Sequence, residues 1–224
     1  MISLAPTEDR LDVLCLGAHP DDIEIGCGGT LLTLAGRPDT SVTGVVLTGE
    51  GPRREEAEAA LPRYFPGAAV QVLGLPDGRL PAHWDAVKEA LEDVGRHHRP
   101  DLILAPRTDD AHQDHRLVGQ LVTTVWRDAL VLHYEIPKWD GDTGRTTHFV
   151  HVSEEDAYRK VELLNKSFPS QVGRDWWDDE LYLGLMRVRG VESRSRYAEG
   201  FVAAKVVLGL NQTVAQPQDR STTR

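Results

Sequence analysis

The first half of the chain alternates short apolar runs with longer amphipathic stretches. The apolar runs, many of them rich in β-branched residues, predict four strands: 11–16, 42–47, 70–75 and 102–105. The stretches between and after them predict four helices: 30–35, 53–61, 84–94 and an apolar stripe at 117–126. The second of these helices is expected to stop before Pro62. Strand–helix alternation predicts a parallel sheet with right-handed crossovers, so the expected fold is α/β, a Rossmann-like three-layer sandwich.

The second half of the chain has a less regular pattern. It predicts two strands and two helices: 131–136, 148–152, 153–166 and 178–186. Ser153 suits the N-cap of the first of these helices, and Asp156 completes a capping box. The apolar stretch 201–208 does not distinguish a strand from a helix.

No repeat or linker interrupts these patterns, which predicts a single domain over residues 1–210 and a disordered polar tail at 211–224. The formal charge of −10 disfavours nucleic acid and anionic membranes as partners, because phosphate groups bind to basic faces. Two cysteines, Cys15 and Cys27, do not make a disulfide scaffold. Neither a membrane span nor a signal peptide is evident, so a cytoplasmic location is expected.

Two polar clusters follow predicted strands directly. The segment 18–22 reads AHPDD and comes after the first strand, and the segment 112–115 reads HQDH and comes after the fourth. Ligands of open parallel sheets bind outside the carboxyl ends of the strands. Both clusters are therefore expected at the edge of the sheet where a site would form.

The residue types in these clusters indicate a metal site. Catalytic zinc takes three His, Asp or Glu ligands and keeps one position open for water. A turn can aim His19 and Asp22, three residues apart, at one point, and His115 completes the ligand set. Asp21 is then free to act as a general base. His112 is free to stabilise an oxyanion or to protonate a leaving group.

Other polar, glycine and aromatic residues of the chain have simple structural interpretations. The segment 26–29, GCGG, lacks the spacing of a phosphate-binding loop and is expected to allow close packing, with Cys27 in the core. Asp109 and Asp110 could join the site, but the preferred interpretation is a solvent-exposed acidic turn, which is common after a threonine. Trp176, beside three aspartates, fits either a sugar-contacting surface or a buried anchor of its loop, and Trp139 allows the same two readings.

In these motifs the sequence resembles the zinc-dependent de-N-acetylases named after the PIG-L and LmbE proteins. The resemblance covers nearly the whole chain. It rests mainly on the segments 18–29 and 112–115. Weaker motifs extend it: TGEG at 48–51, LPDG at 75–78, YEIP at 134–137, SQ at 170–171, RG at 189–190 and YAEGF at 197–201.

The resemblance implies roles residue by residue. His19, Asp22 and His115 match the zinc ligands, and Asp21 matches the general base. His112 matches the histidine that stabilises the oxyanion or protonates the amine. Asp114 matches the carboxylate that orients a neighbouring histidine.

The resemblance is less definite about the substrate. Arg53 or Arg54 falls where the family has a substrate-contacting arginine, and the sequence does not choose between them. Tyr134 and Trp176 are the other candidate substrate contacts. The chain departs from the family at Gln113, where many members have proline, at Phe168, where many have His or Tyr, and in the basic segment 191–196.

The implied function is removal of an N-acyl group, most simply acetyl, from an aminosugar-containing small molecule by one zinc ion per chain. Fe²⁺ or Mn²⁺ would suit the same ligands. A thiol-conjugate amidase, another natural-product amidase and a non-catalytic binding protein stay open as alternatives. A homo-oligomer is also compatible, because exposed strands of the second half could pair between subunits.

Overall fold

The structure is a computed structural model, and it describes residues 10–208. Its centre is one seven-stranded sheet with the order β3-β2-β1-β4-β5-β7-β6. The strands are β1 Leu11–Gly17, β2 Thr40–Thr48, β3 Ala69–Leu75, β4 Leu102–Pro106, β5 Leu130–Tyr134, β6 His148–Val152 and β7 Tyr197–Ala203. β1 to β5 pair in parallel, whereas β7 is antiparallel to both of its neighbours. This sheet confirms the predicted fold class.

Six α-helices accompany the described part of the sheet. They are α1 Asp22–Ala35, α2 Gly51–Tyr64, α3 Trp84–His97, α4 Gln113–Val125, α5 Glu154–Ser167 and α6 Asp179–Ser193, with a short 3₁₀ turn at Leu80–His83. Ser153 caps α5, as predicted, by accepting a hydrogen bond from the Asp156 amide. The carboxylate of Asp178 caps α6 by accepting from two amides.

Two apolar clusters lie on opposite faces of the sheet. Alternation along β1 sends Val13 and Cys15 into a cluster with α1, α2, α5 and α6. Leu14 and Leu16 enter the other cluster, with α3 and α4. The helices therefore cover both faces, as a three-layer sandwich requires.

Several element boundaries differ from the sequence prediction. The helix expected at 30–35 is only the second half of α1, which begins at Asp22 and is interrupted by a non-helical Cys27 with φ −143°. α2 does not stop before Pro62, because this proline lies in the last turn and removes a single donor; the Phe65 amide closes the helix on the Leu61 carbonyl. The undecided stretch 201–208 contributes to β7.

The strand order places β1 beside the parallel strand β4. From β1 the chain adds β2 and β3 on one side, and it then returns to add β4 and β5 on the other side. Such a switch point leaves a crevice at the carboxyl ends of the two strands. The two polar clusters of the sequence flank this crevice. No helix within residues 10–208 has the length and apolar character needed to cross a bilayer. The predicted tail at 211–224 lies outside the described residues, and the single-domain boundary at 210 stays a prediction.

Candidate metal centre and active site

The loop between β1 and α1 holds the first cluster in a fixed turn. The His19 amide donates to Asp22 Oδ2 at 2.8 Å, and the Thr48 amide and hydroxyl both donate to the Ala18 carbonyl. Asp21 adopts φ 113°, a left-handed conformation that costs a non-glycine residue about 1–3 kcal/mol and occurs mainly at functional sites. The turn thereby presents the polar side chains of His19, Asp21 and Asp22 at the crevice.

Atoms of the three predicted metal ligands converge. His19 Nδ1 lies 3.0 Å from His115 Nε2. Asp22 Oδ2 lies 3.5 Å from His19 Nδ1, and Asp22 Oδ1 lies 3.3 Å from His115 Nε2. Two donor atoms bound at roughly 2.0–2.1 Å to a tetrahedral zinc ion are about 3.3 Å apart. All three residues are buried. The spacing and the two-nitrogen, one-carboxylate set therefore fit a zinc site.

Each of the two histidines turns its other ring nitrogen toward a carboxylate. His19 Nε2 lies 3.2 Å from Asp114 Oδ2, and His115 Nδ1 lies 3.1 Å from Asp110 Oδ1. The second Asp114 oxygen accepts from the Leu80 amide at 3.1 Å, which anchors this carboxylate. A carboxylate behind a histidine ligand fixes its tautomer and orientation. The interpretation of Asp110 as part of an exposed turn was wrong, since Asp110 is buried.

One buried oxygen is an argument for a ligand. Asp22 Oδ1 has no hydrogen-bond partner among the described residues. Burial opposes ionisation of Asp22, but the facing His115 and His19 outweigh it and hold the pKa of Asp22 well below its usual range. Burial likewise opposes protonation of His115, yet Asp22 and Asp110 raise its pKa to about 9. Because a histidine ligand has to be deprotonated to bind a metal, zinc binding at this cluster would be coupled to the release of protons.

Two other combinations also bring ligand atoms within 4.8 Å of one another: His19 with His112 and His115, and His19 with Asp77 and Asp114. The second set is the weaker choice, because Asp77 is exposed and Asp114 is already anchored to a backbone amide. The first set differs from the predicted one only by His112 in place of Asp22. Since Asp22 supplies the unpartnered buried oxygen, the His19, Asp22 and His115 set fits a metal best.

Asp21 lies beside this cluster in a buried position. Its Oδ2 accepts a hydrogen bond from Arg53 Nη2 at 2.9 Å, and its Oδ1 has no partner among the described residues. Burial raises the pKa of Asp21, an effect that the charges of Lys138 and Arg53 oppose. A carboxylate beside the cluster with one oxygen left without a hydrogen bond from the described residues has the proton acceptor that a general base requires.

His112 stands at the N-cap of α4 and is half-buried. Its ring stacks on His115 at 4.5 Å and meets the edge of His19 at 4.8 Å. Its Nδ1 accepts from the Asp114 amide, which leaves Nε2 free. Burial, followed by the charges of His115 and His19, lowers the pKa of His112, so its ring is neutral near pH 7.

The structure distinguishes the two arginines that the sequence left open. Arg53 reaches Asp21, the Pro20 carbonyl and Glu56. Arg54 pairs with Glu58 on the exposed side of α2. Arg53 is therefore the arginine at the site.

Two expected substrate contacts are not at an accessible surface. Tyr134 is fully buried, and its hydroxyl donates to the Leu16 carbonyl at 2.6 Å. A Cβ at Gly26 would lie only 2.0 Å from this ring, which explains the glycine and confirms the packing interpretation of the segment 26–29. Trp176 is 7% exposed and serves as a loop anchor. Tyr134 as a substrate contact was therefore wrong, because its ring fills the core under α1.

Three residues near the site were not singled out from the sequence. Lys138 Nζ lies 3.9 Å from Asp22 Oδ1, and Asp77 Oδ1 lies 3.2 Å from His19 Nε2. Glu24 is buried on α1, and burial raises its pKa to about 8. For Asp77 the LPDG motif was a usable signal. For Lys138 the sequence carries none, since only the folded loop brings it to the crevice.

The family model of GlcNAc-PI de-N-acetylase, PIG-L, matches residues 14–126, half of the chain. The chain therefore belongs to the PIG-L family. The matched segment contains both polar clusters and the elements that position them.

Individual relatives agree with this membership. An uncharacterised deacetylase of Escherichia coli, YaiS, is 32% identical over 146 residues, which cover 60% of this chain and 78% of that protein. A diacetylchitobiose deacetylase of Thermococcus kodakarensis is 28% identical over 230 aligned positions, covering 87% of this chain and 84% of that protein.

Solved structures share the fold at lower identity. N,N'-diacetylchitobiose deacetylase of Pyrococcus horikoshii matches with a TM-score of 0.70 and 23% identity, covering 87% of this chain and 84% of that one. The Pseudomonas putida hydratase GalB also matches with a TM-score of 0.70, at 20% identity, covering 90% of this chain and 99% of that one. Because this fold carries different chemistries, the reaction has to be argued from the site.

Proposed function

We propose that this protein is a zinc-dependent hydrolase that removes an N-acyl group, most simply acetyl, from an aminosugar-containing small molecule. The observation that carries the proposal is that His19 Nδ1 and His115 Nε2 lie 3.0 Å apart and that each faces one oxygen of Asp22, at 3.5 and 3.3 Å, with the buried carboxylate of Asp21 beside them. Membership of the PIG-L family supports the choice of an amide as the bond that is cleaved.

The residues that would hold the metal are His19, Asp22 and His115. A bound zinc ion would polarise the amide carbonyl and acidify a water molecule. Fe²⁺ or Mn²⁺ would suit the same nitrogen and oxygen donors, and availability would decide between them. Asp114 and Asp110 keep the two histidine rings oriented through their far nitrogens.

The remaining groups act on protons and on developing charge. Asp21 takes a proton from the attacking water through its open oxygen, while Arg53 holds its other oxygen. His112 donates a hydrogen bond to the oxyanion that forms on the former carbonyl. Asp21, which holds the proton taken from water, then gives it to the departing amine, because the neutral His112 ring has only a hydrogen bond to donate.

An aminosugar is the substrate class that the relatives support. The name of the Thermococcus relative refers to diacetylchitobiose, an acetylated sugar. In this chain Trp139, which follows Lys138, offers a ring that is 65% exposed and lies 5.9 Å from the ring of Trp176 in an edge-on arrangement. We place the sugar ring against Trp139, with Trp176 as its buried support. A cytoplasmic location and a homo-oligomer also stay predictions.

A thiol-conjugate amidase or another natural-product amidase would use the same catalytic groups, so substrate panels have to discriminate between them. The first experiment measures acetate and free-amine release from N-acetylglucosamine and its α-linked conjugates. Purified protein is assayed as isolated, after chelation and after addition of Zn²⁺.

Release that chelation abolishes and Zn²⁺ restores is the expected result. If protein that carries one zinc per chain releases no acetate or amine, the proposed aminosugar substrate is wrong and the search moves to other amides. If the protein releases no product and binds no zinc, the catalytic proposal is refuted and a non-catalytic binding protein is favoured.

A further inference from the structure

Lys138 has an environment that the proposed mechanism does not use. It follows β5 in the segment Pro137-Lys138-Trp139, and its side chain is only 13% exposed. Its ammonium lies 5.0 Å above the ring of Trp176 and 3.9 Å from Asp22 Oδ1. Within residues 10–208, Lys138 donates no hydrogen bond.

The comparison with Lys160 shows why this is unusual. Lys160 is also buried, but its ammonium donates to the Ile25 carbonyl and to Glu199 Oε1, both at 2.6 Å. An ammonium has three donors, and removing it from water without acceptors is unfavourable. Lys138 therefore holds open donors at a place where an acceptor from outside the chain can arrive.

The position of the ammonium limits which acceptor this is. Because Lys138 Nζ is 3.9 Å from a predicted metal ligand, an oxygen within hydrogen-bond distance of it lies at the reacting end of a substrate. Every N-acyl substrate brings one oxygen there, that of the scissile carbonyl. The cation–π contact with Trp176 holds the ammonium in place without occupying its donors.

We propose that Lys138 is a further catalytic residue, which donates a hydrogen bond to the acyl oxygen and stabilises the oxyanion together with His112. The water oxygen forms the new C–O bond, and its proton goes to Asp21. The carbonyl π pair moves to the acyl oxygen, where Lys138 and His112 donate. When the C–N bond breaks, this pair re-forms C=O and the amine takes the proton. Lys138 keeps its proton throughout, and its hydrogen bond strengthens as charge develops.

This inference rests on the proposed function, so its first test does not need turnover. Methylphosphonate is a tetrahedral anion that carries a methyl group, as the acetyl-derived oxyanion does. Its affinity for zinc-loaded wild type, Lys138→Gln and the exposed control Lys166→Gln is measured by calorimetry, with zinc content and melting temperature determined for each. We expect Lys138→Gln to weaken binding by at least ~10-fold and the control to match wild type. Equal affinities, or no binding to wild type, would overturn the inference.

The second test uses kinetics on N-acetyl- and N-trifluoroacetyl-glucosamine. Lys138→Gln should lower kcat on the acetamide by about 10²-fold with KM within about twofold, and Lys138→Arg should recover part of the loss. The loss should be smaller for the trifluoroacetamide, whose oxyanion is less basic. A change confined to KM, or equal losses on both substrates, would contradict a role in oxyanion stabilisation. Wild type that hydrolyses neither amide would refute the proposed function, whereas the methylphosphonate result would still decide on Lys138.

Discussion

Two buried polar clusters lie along α1, and their hydrogen bonding is opposite in kind. At the middle of the helix, Glu199 accepts four hydrogen bonds at 2.6–2.8 Å, from the Gly29 amide, the amide and hydroxyl of Thr30, and Lys160. Its carboxylate thereby caps the second half of α1, where the helix restarts after Cys27. Every oxygen in this cluster has partners, so its role is to stabilise the fold.

At the start of the same helix, two buried carboxylates each have one oxygen without a hydrogen bond in the described part of the chain. Asp21 Oδ1 and Asp22 Oδ1 have no hydrogen bond among residues 10–208, and Asp21 has a strained backbone. Such groups lower stability, and backbone strain beside them is typical of sites where a ligand or a reaction uses them. The comparison therefore distinguishes a fully hydrogen-bonded structural cluster from a candidate functional cluster on physical grounds, without reference to any relative.

The largest effect is expected at the functional cluster. Asp21→Asn should keep zinc binding but lower turnover by about 10²–10⁴-fold, because the general base is lost while the ligands remain. Zinc content by mass spectrometry and acetate release measure the two quantities. Full activity in this variant would refute the assignment. His115→Ala is the complementary variant, since it should lose zinc as well as activity.

The structural cluster should respond in the opposite way. Glu199→Gln leaves Lys160 buried without its counter-charge, which should cost about 3–5 kcal/mol and lower the melting temperature by about 6–20 °C. Activity per folded molecule should be nearly unchanged. The matched control is Glu162→Gln, in the exposed pair with Lys166, which should leave the melting temperature unchanged. Equal melting temperatures for both variants would contradict the stabilising role of the buried pair between Glu199 and Lys160.

A smaller effect is expected one step outside the metal ligands. Asp110→Asn removes the anionic acceptor behind His115, so zinc affinity or activity should fall by about 10–100-fold. Competition with a chromogenic chelator measures the affinity. Asp109→Asn is the control, because Asp109 is exposed and pairs with Arg107 instead. If both variants bind zinc equally well, Asp110 does not position the histidine.

The smallest effect separates the two arginines. Arg53→Met removes the hydrogen bond to Asp21 and should lower kcat/KM by about 10-fold, as the loss of one hydrogen bond to a charged group implies. Arg54→Met should not change kcat/KM, because Arg54 pairs with Glu58 on its own helix and not with Asp21. The same effect in both variants would contradict the placement of Arg53 at the site.

Much of the fold could be predicted from the sequence, because the pattern of apolar positions is a local signal. β1 to β4 occur within a few residues of their predicted positions, since each is a short apolar run between turn-forming segments. The helix at 30–35 was predicted too short because the glycines at 26–29 lower helix propensity, and only the distant Glu199 supplies the cap that lets the helix restart. The edge pairing of β6 with β7 also depends on residues far apart in sequence.

The sequence by itself determined which residue types could form the candidate site, because the two His/Asp clusters each lie in a short segment after a strand. Only the tertiary structure decided which side chains share that crevice. It selected Arg53 over Arg54, brought Asp110 and Lys138 to the ligands, and placed Tyr134 in the core. The physical reason is that these contacts depend on the direction in which each side chain leaves its helix or loop. That direction is fixed by packing across the sheet and not by neighbouring residues in the chain.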